Sequence, residues 1–185
     1  STVRDAVRYR AGNTVTLQIT PSRTGNAGTE VFIERLPESR SGGLNDTTVF
    51  SKTGTVSEEA VDPGETVTVD YTFRVGAGKG IDVRESRIID YVNADVFDVS
   101  DLGSVQVTGT YDGQPLTAAH FDVTTENGNL VIALNDAGDA VVTARGVDRE
   151  LVVTFSLTTL PFDGKETKSI TNRASLLGSN GAPLY

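Results

Sequence analysis

The sequence has no cysteine, no methionine, no tryptophan and a single histidine, His120. Without cysteine there is no disulfide and no thiolate metal site. One histidine excludes a multi-histidine metal centre and most acid–base catalysis through imidazole. Standing beside Phe121, His120 reads as packed or solvated rather than catalytic. No Ser-His-Asp spacing, phosphate loop or aromatic-basic stripe is present, so an enzyme is not expected. Positive charge is also short: the formal net charge is −9. That balance argues against nucleic acid or an anionic membrane as partner and suits an acidic, soluble extracellular surface. No apolar run is long enough to span a bilayer, and no signal peptide is seen. The first residue is Ser1 rather than Met, and the chain is expected to be an excised piece of a longer, secreted protein.

What is abundant is valine, threonine and glycine, the composition of strands joined by tight turns. The 185 residues suit one large or two small domains. Val67, Val69, Tyr71, Phe73 and Val75 alternate strictly with polar residues, the clearest strand of the chain. Asn13–Thr20, Glu30–Leu36, Thr47–Val56, Ile81–Val92, Val105–Tyr111, Phe121–Thr125, Leu130–Leu134, Val141–Ala144, Leu151–Leu157 and Ser169–Leu177 are further strands. Val3–Tyr9 alternates weakly. Ser22–Gly28, Asp62–Glu65, Asp112-Gly113, Asn127-Gly128 and Asp136–Gly138 are turn signals. No amphipathic helix of three turns is expected; Ala118–His120 and Val92–Leu102 each hold at most a short helical turn. Many short strands with such turns predict an all-β sandwich or barrel. The division expected is a β-rich N-terminal segment or small domain over 1–47, a main domain over 48–178, and a tail or linker over 179–185. The polar loop Pro37–Asp46 marks the junction.

Three inward positions break the apolar pattern. In Ser169–Leu177, Ile170, Asn172, Ala174 and Leu176 share one face, so an asparagine points into the core. Phe50, Lys52, Gly54 and Val56 share a face, which turns a lysine inward. Ile88, Asp90 and Val92 do the same for an aspartate. Buried polar groups are costly unless satisfied, and the simplest way to satisfy all three is to let them meet.

On these residues the chain resembles a known family. Lys52 lies on an early strand. Val61–Phe73 forms a glycine-then-alternating strand, and Ile88-Ile89-Asp90-Tyr91 a strand bearing an aspartate. Val107–Val123 makes a central hairpin, and Ile170-Thr171-Asn172-Arg173-Ala174 a last strand bearing an asparagine. In that order they are similar to the Ig-like modules of Gram-positive surface proteins and pilins, of the CnaA-type collagen-adhesin or fimbrial D2 isopeptide-forming kind. The resemblance covers residues 48–178. It departs at Tyr91-Val92, where leucine-proline often follows the aspartate, and leaves residues 1–47 unexplained. It implies an Ig-like sandwich and a Lys52–Asn172 isopeptide bond with Asp90 as the promoting acid.

The chemistry is coherent. Burial disfavours the charged forms of both an amine and a carboxyl group. A neutral amine is nucleophilic, and a neutral acid can hydrogen-bond an asparagine carbonyl oxygen and polarise it. Loss of ammonia then leaves a Lys–Asn amide. Two other readings stay open: a buried Lys52–Asp90 ion pair with Asn172 hydrogen-bonded nearby, or a lysine on the surface.

No cofactor is expected. Calcium is the cation to consider, since Asp95, Asp98 and Asp101 recur in one loop and Asn135, Asp136 and Asp139 in another. Neither matches EF-hand spacing, and Asp-rich turns commonly satisfy backbone amides. The resulting expectation is a stalk or adhesin module on a bacterial surface, in a cell-wall-anchored parent, partnered by neighbouring modules. The competing class is a module binding a host matrix protein or a glycan; the lack of tryptophan disfavours a sugar platform.

Overall fold

The structure, a computed structural model, describes residues 14–21, 29–35, 48–57, 60–61, 64–162 and 168–178. Its strands are β1 (Thr14–Pro21), β2 (Thr29–Arg35), β3 (Phe50–Val56), β4 (Ala60–Val61), β5 (Thr68–Val75), β6 (Ser86–Tyr91), β7 (Thr108–Tyr111), β8 (Gln114–Leu116), β9 (Phe121–Glu126), β10 (Asn129–Leu134), β11 (Leu151–Thr158) and β12 (Lys168–Gly178). One helix, α1 (Asp136–Arg145), lies between β10 and β11. Two antiparallel sheets result. One runs β4-β2-β1-β12-β6-β10-β9 and the other β3-β5-β11-β7-β8. This is an all-β, Ig-like sandwich.

The sheets form where the alternation is cleanest. β5 pairs β11 over its whole length, from Leu151 opposite Val75 to Thr158 opposite Thr68. Val69, Tyr71, Phe73 and Val75 face inward from β5, as do Val153, Phe155 and Leu157 from β11. The Phe73 ring stacks on Phe50 at 5.7 Å and on Phe155 at 5.5 Å. The facing sheet contributes Ile88, Leu130, Ile132, Ala174 and Leu176 to the same core. Burying each large apolar side chain there contributes about 2 kcal/mol.

Turn chemistry agrees with the sequence. The β7–β8 hairpin turns at Asp112 (φ 48°) and Gly113 (φ 76°), and the β9–β10 hairpin at Asn127 (φ 53°) and Gly128 (φ 80°). Both are the positive-φ pairs that suit two-residue hairpins. β7 also needs Gly109, because a Cβ there would lie 1.8 Å from the Val152 carbonyl oxygen of β11.

One expectation is overturned. Val141–Ala144 is not a strand and Asp136–Gly138 is not a turn; both belong to α1. The helix is set by its ends rather than by a stripe. The Asn135 side chain accepts from Gly138 N at 3.0 Å, Asp136 and Asp139 occupy the first turn, and Arg145 occupies the last. These complement the helix dipole, and Gly146 (φ 102°) ends it. Inside, α1 buries Gly138 and Val142, and this short contact leaves almost no periodic signal.

Before residue 48, β1 pairs with β12 and β2 pairs with β1, so these two strands extend the larger sheet. Val3–Tyr9, the Ser22–Gly28 turn, the Pro37–Asp46 loop and the 179–185 tail lie outside the described residues.

Candidate functional site

Lys52, Asp90 and Asn172 come together in the core. Lys52 extends from β3 of the five-stranded sheet, where it pairs with Phe73. Asp90 and Asn172 stand on neighbouring strands β6 and β12 of the other sheet. Ala174 is opposite Asp90, so Asn172 is its diagonal neighbour on the same face. All three residues are at most 3% exposed. The reading of Lys52 as a surface lysine is therefore excluded.

One carboxylate serves both partners. Lys52 Nζ donates to Asp90 Oδ2 at 2.7 Å, and Asn172 Nδ2 donates to Asp90 Oδ1 at 2.8 Å. The orientation of the amide differs from the expectation that the acid would hold its carbonyl oxygen. Here the asparagine nitrogen faces Asp90, and Oδ1 has no hydrogen-bond partner among the described residues.

The surroundings of the amine are aromatic. Lys52 Nζ lies 4.2 Å from the Tyr71 ring centroid and 5.2 Å from that of Phe73. Burial lowers the Lys52 pKa below the usual lysine value, against the opposing pull of the Asp90 charge and hydrogen bond. Burial, reinforced by the Asp90 charge, raises the Tyr71 pKa well above the ordinary phenol value. The site thus pushes the lysine toward a neutral amine and holds the tyrosine protonated. Sequence reasoning placed Tyr71 inward but did not connect it to Lys52. Their closeness follows from the β3–β5 register, which alternation alone does not give: Tyr71 opposes Gly54, two residues from Lys52 on its own face.

The acidic loops do not assemble. Among the described residues no group of three or more His, Cys, Asp or Glu is placed to hold a metal ion. Asp98 accepts from Ser100 N and Ser100 Oγ, and Asp101 accepts from Ser104 Oγ. Asp95 receives its turn from Asn93, whose side chain accepts the Asp95 N–H. Asn135 caps α1, and Asp136 and Asp139 begin it. His120 is half-buried and its Nδ1 accepts from Thr117 N at 2.9 Å, a local cap.

No family model and no curated protein matches the chain. Among solved structures it is similar to the pilus backbone RrgB of Streptococcus pneumoniae, at 15% identity and TM-score 0.43 over 69% of this chain and 31% of that one. It is similar to the collagen-binding domain of Erysipelothrix rhusiopathiae surface protein RspB, at 18% identity and TM-score 0.41 over 95% and 53%. It is also similar to the Corynebacterium diphtheriae major pilin SpaA, at 13% identity and TM-score 0.36 over 82% and 54%. The SpaA structure points to a modular pilus assembly with stabilising isopeptide bonds. The chain spans from just under a third to just over half the length of these solved chains.

Proposed function

We propose that this chain is a load-bearing stalk module of a bacterial surface or pilus protein, closed by an intramolecular bond between Lys52 and Asn172 that Asp90 promotes. The observation that supports it is the shared carboxylate: both nitrogens that the reaction must exchange touch one buried aspartate. A proton moves from the Lys52 ammonium to Asp90 Oδ2, leaving a neutral amine beside a neutral acid. The amine attacks Asn172 Cγ, forming the Nζ–Cγ bond as the carbonyl π pair moves onto Oδ1. Asp90 protonates Nδ2 and takes the second Nζ proton. Collapse breaks the Cγ–Nδ2 bond, ammonia leaves, and an amide stands beside a protonated Asp90. The reaction needs no oxidant and no cofactor, which fits a chain without cysteine. Its partners on this reading are the neighbouring modules of the same parent protein, outside the cell.

Intact mass tests it. The wild-type protein is expected to be lighter than its sequence by one ammonia, and Lys52→Ala and Asn172→Ala each to have their calculated masses. A wild-type mass equal to the sequence mass overturns the bond. A deficit that survives Lys52→Ala moves it to Lys79, Lys165 or Lys168.

A further inference from the structure

Two buried polar atoms near the triad have no partner among the described residues: the Tyr71 hydroxyl and Asn172 Oδ1. The first is a donor with an unspent O–H; the second is an acceptor, and the atom onto which negative charge moves when the lysine attacks. Asp90 cannot serve that oxygen while it holds the amide nitrogen, as it does here. A buried donor and a buried acceptor left unpaired are each costly, and each calls for a physical explanation.

The register brings the two toward each other. On the larger sheet Asn172 lies beyond Asp90 in the direction of Val92, since Arg173 opposes Tyr91 and Ala174 opposes Asp90. On the other sheet Tyr71 lies beyond Phe73, the partner of Lys52, and its ring meets Phe97 edge-on at 6.3 Å. Phe97 follows Val92 through a tight turn in which Phe97 N donates to Asn93 O at 2.9 Å. Tyr71 and Asn172 are thus displaced from the Lys52–Asp90 contact toward the same end of the sandwich, on facing sheets.

We propose that the Tyr71 hydroxyl is the oxyanion donor of the bond-forming reaction, hydrogen-bonding Asn172 Oδ1 as the lysine attacks. The inference rests on the Lys52–Asn172 reaction proposed above and divides its labour. Asp90 moves protons between the two nitrogens. Tyr71 keeps its proton and stabilises the oxygen, while its ring bounds the pocket of the amine. The raised pKa of the phenol keeps it a donor throughout the neutral range.

The test uses Tyr71→Phe, which keeps the ring and removes only the oxygen. Protein is refolded from denaturant and the ammonia deficit followed by intact mass against time. Loss of one oxyanion donor costs about 100-fold or more in rate, so bond formation is expected to slow by that order. Stability is measured separately in a Lys52→Ala background, where no bond forms. There Tyr71→Phe is expected to leave the midpoint unchanged or raised, because it removes an unpaired buried hydroxyl. A slower reaction without lost stability is a result that a purely structural tyrosine does not give. Wild-type kinetics in Tyr71→Phe overturn the oxyanion role and leave the bond standing, and so does slowing that merely tracks destabilisation. Absence of any deficit in the wild type overturns both proposals.

Discussion

Lys52 Nζ and Asp90 Oδ2 stand 2.7 Å apart although the two residues belong to opposite sheets. The contact crosses the sandwich with both side chains wholly buried. An ion pair in such a place is poor at stabilising a fold, because desolvation of two charges opposes their attraction. On the function proposed above, the pair is the start of a reaction that removes the lysine charge altogether.

Breaking the pair is expected to be costly. In an Asn172→Ala background, where no bond forms, Asp90→Ala leaves the lysine buried without a partner and should lose about 3–5 kcal/mol. Replacing both members with apolar residues, Lys52→Met with Asp90→Leu, should lose much less. Urea unfolding of the three proteins checks the ordering; equal losses would show that the pair is not electrostatically coupled.

The unbonded protein should carry a pH signature that the bonded one lacks. In Asn172→Ala, Lys52 keeps its lowered pKa, so between that value and the ordinary 10.5 the unfolded chain holds a proton the folded one has released. More protons on the unfolded state mean stability rises with pH across that window. Above 10.0 the raised pKa of Tyr71 acts oppositely, because the folded state then holds the extra proton. Unfolding free energies measured up to pH 10 should climb in Asn172→Ala; with the proposed bond in place, the wild type should lack the lysine contribution, because an amide nitrogen does not titrate.

Removing the proposed bond without removing the lysine isolates its thermodynamic share. The loop that bond would close has 172 − 52 = 120 residue steps. By the chain-entropy argument used for disulfides, Asn172→Ala should lose about 5 kcal/mol less any strain the bond carries. Chemical denaturation of wild type and variant measures the difference; no change in midpoint would mean that the cross-link does not constrain the unfolded chain.

Two positions remote from the triad test the fold. Asn135→Ala removes the cap of α1 and should cost about 1 kcal/mol. Gly109→Ala should cost about 3 kcal/mol, the upper end of an overpacking penalty, because its Cβ would press on β11 backbone. Thermal melts check both, and a Gly109→Ala protein as stable as wild type would contradict the β7–β11 register.

How much of this was legible varies along the chain. Lys52, Asp90 and Asn172 were readable because a two-residue period assigns every strand residue to a face, and a polar residue in an apolar row stands out. The same rule located Tyr71 but said nothing about its hydroxyl, since alternation gives direction and not register. Helix α1 was missed because its adjacent Val141 and Val142 imitate a strand while its evidence lies in Asn135, Asp136, Asp139, Arg145 and Gly146. Ser175 falls on the strand face opposite Asn172, and alternation alone does not say that this face is covered. It is fully buried, because Ile89, Val131 and Leu177 form a second apolar cluster of their own. Cover of that kind depends on neighbours distant in sequence.

The span between Lys52 and Asn172 takes in every strand from β4 to β11, while β1 and β2 lie before it. With the two side chains joined, this span is a ring and the rest of the chain is a pair of tails. A protease that cuts once inside the ring, at a hairpin such as Asn127-Gly128, opens it but releases no fragment, even under denaturing conditions. A cut between β2 and Lys52 leaves β1 and β2 held only by strand pairing, such as that of β1 with β12, and denaturation releases them. Digestion in the interior would therefore shed no fragment until a second cut falls in the same ring, and a module cross-linked as proposed would keep its two ends connected through the first wound.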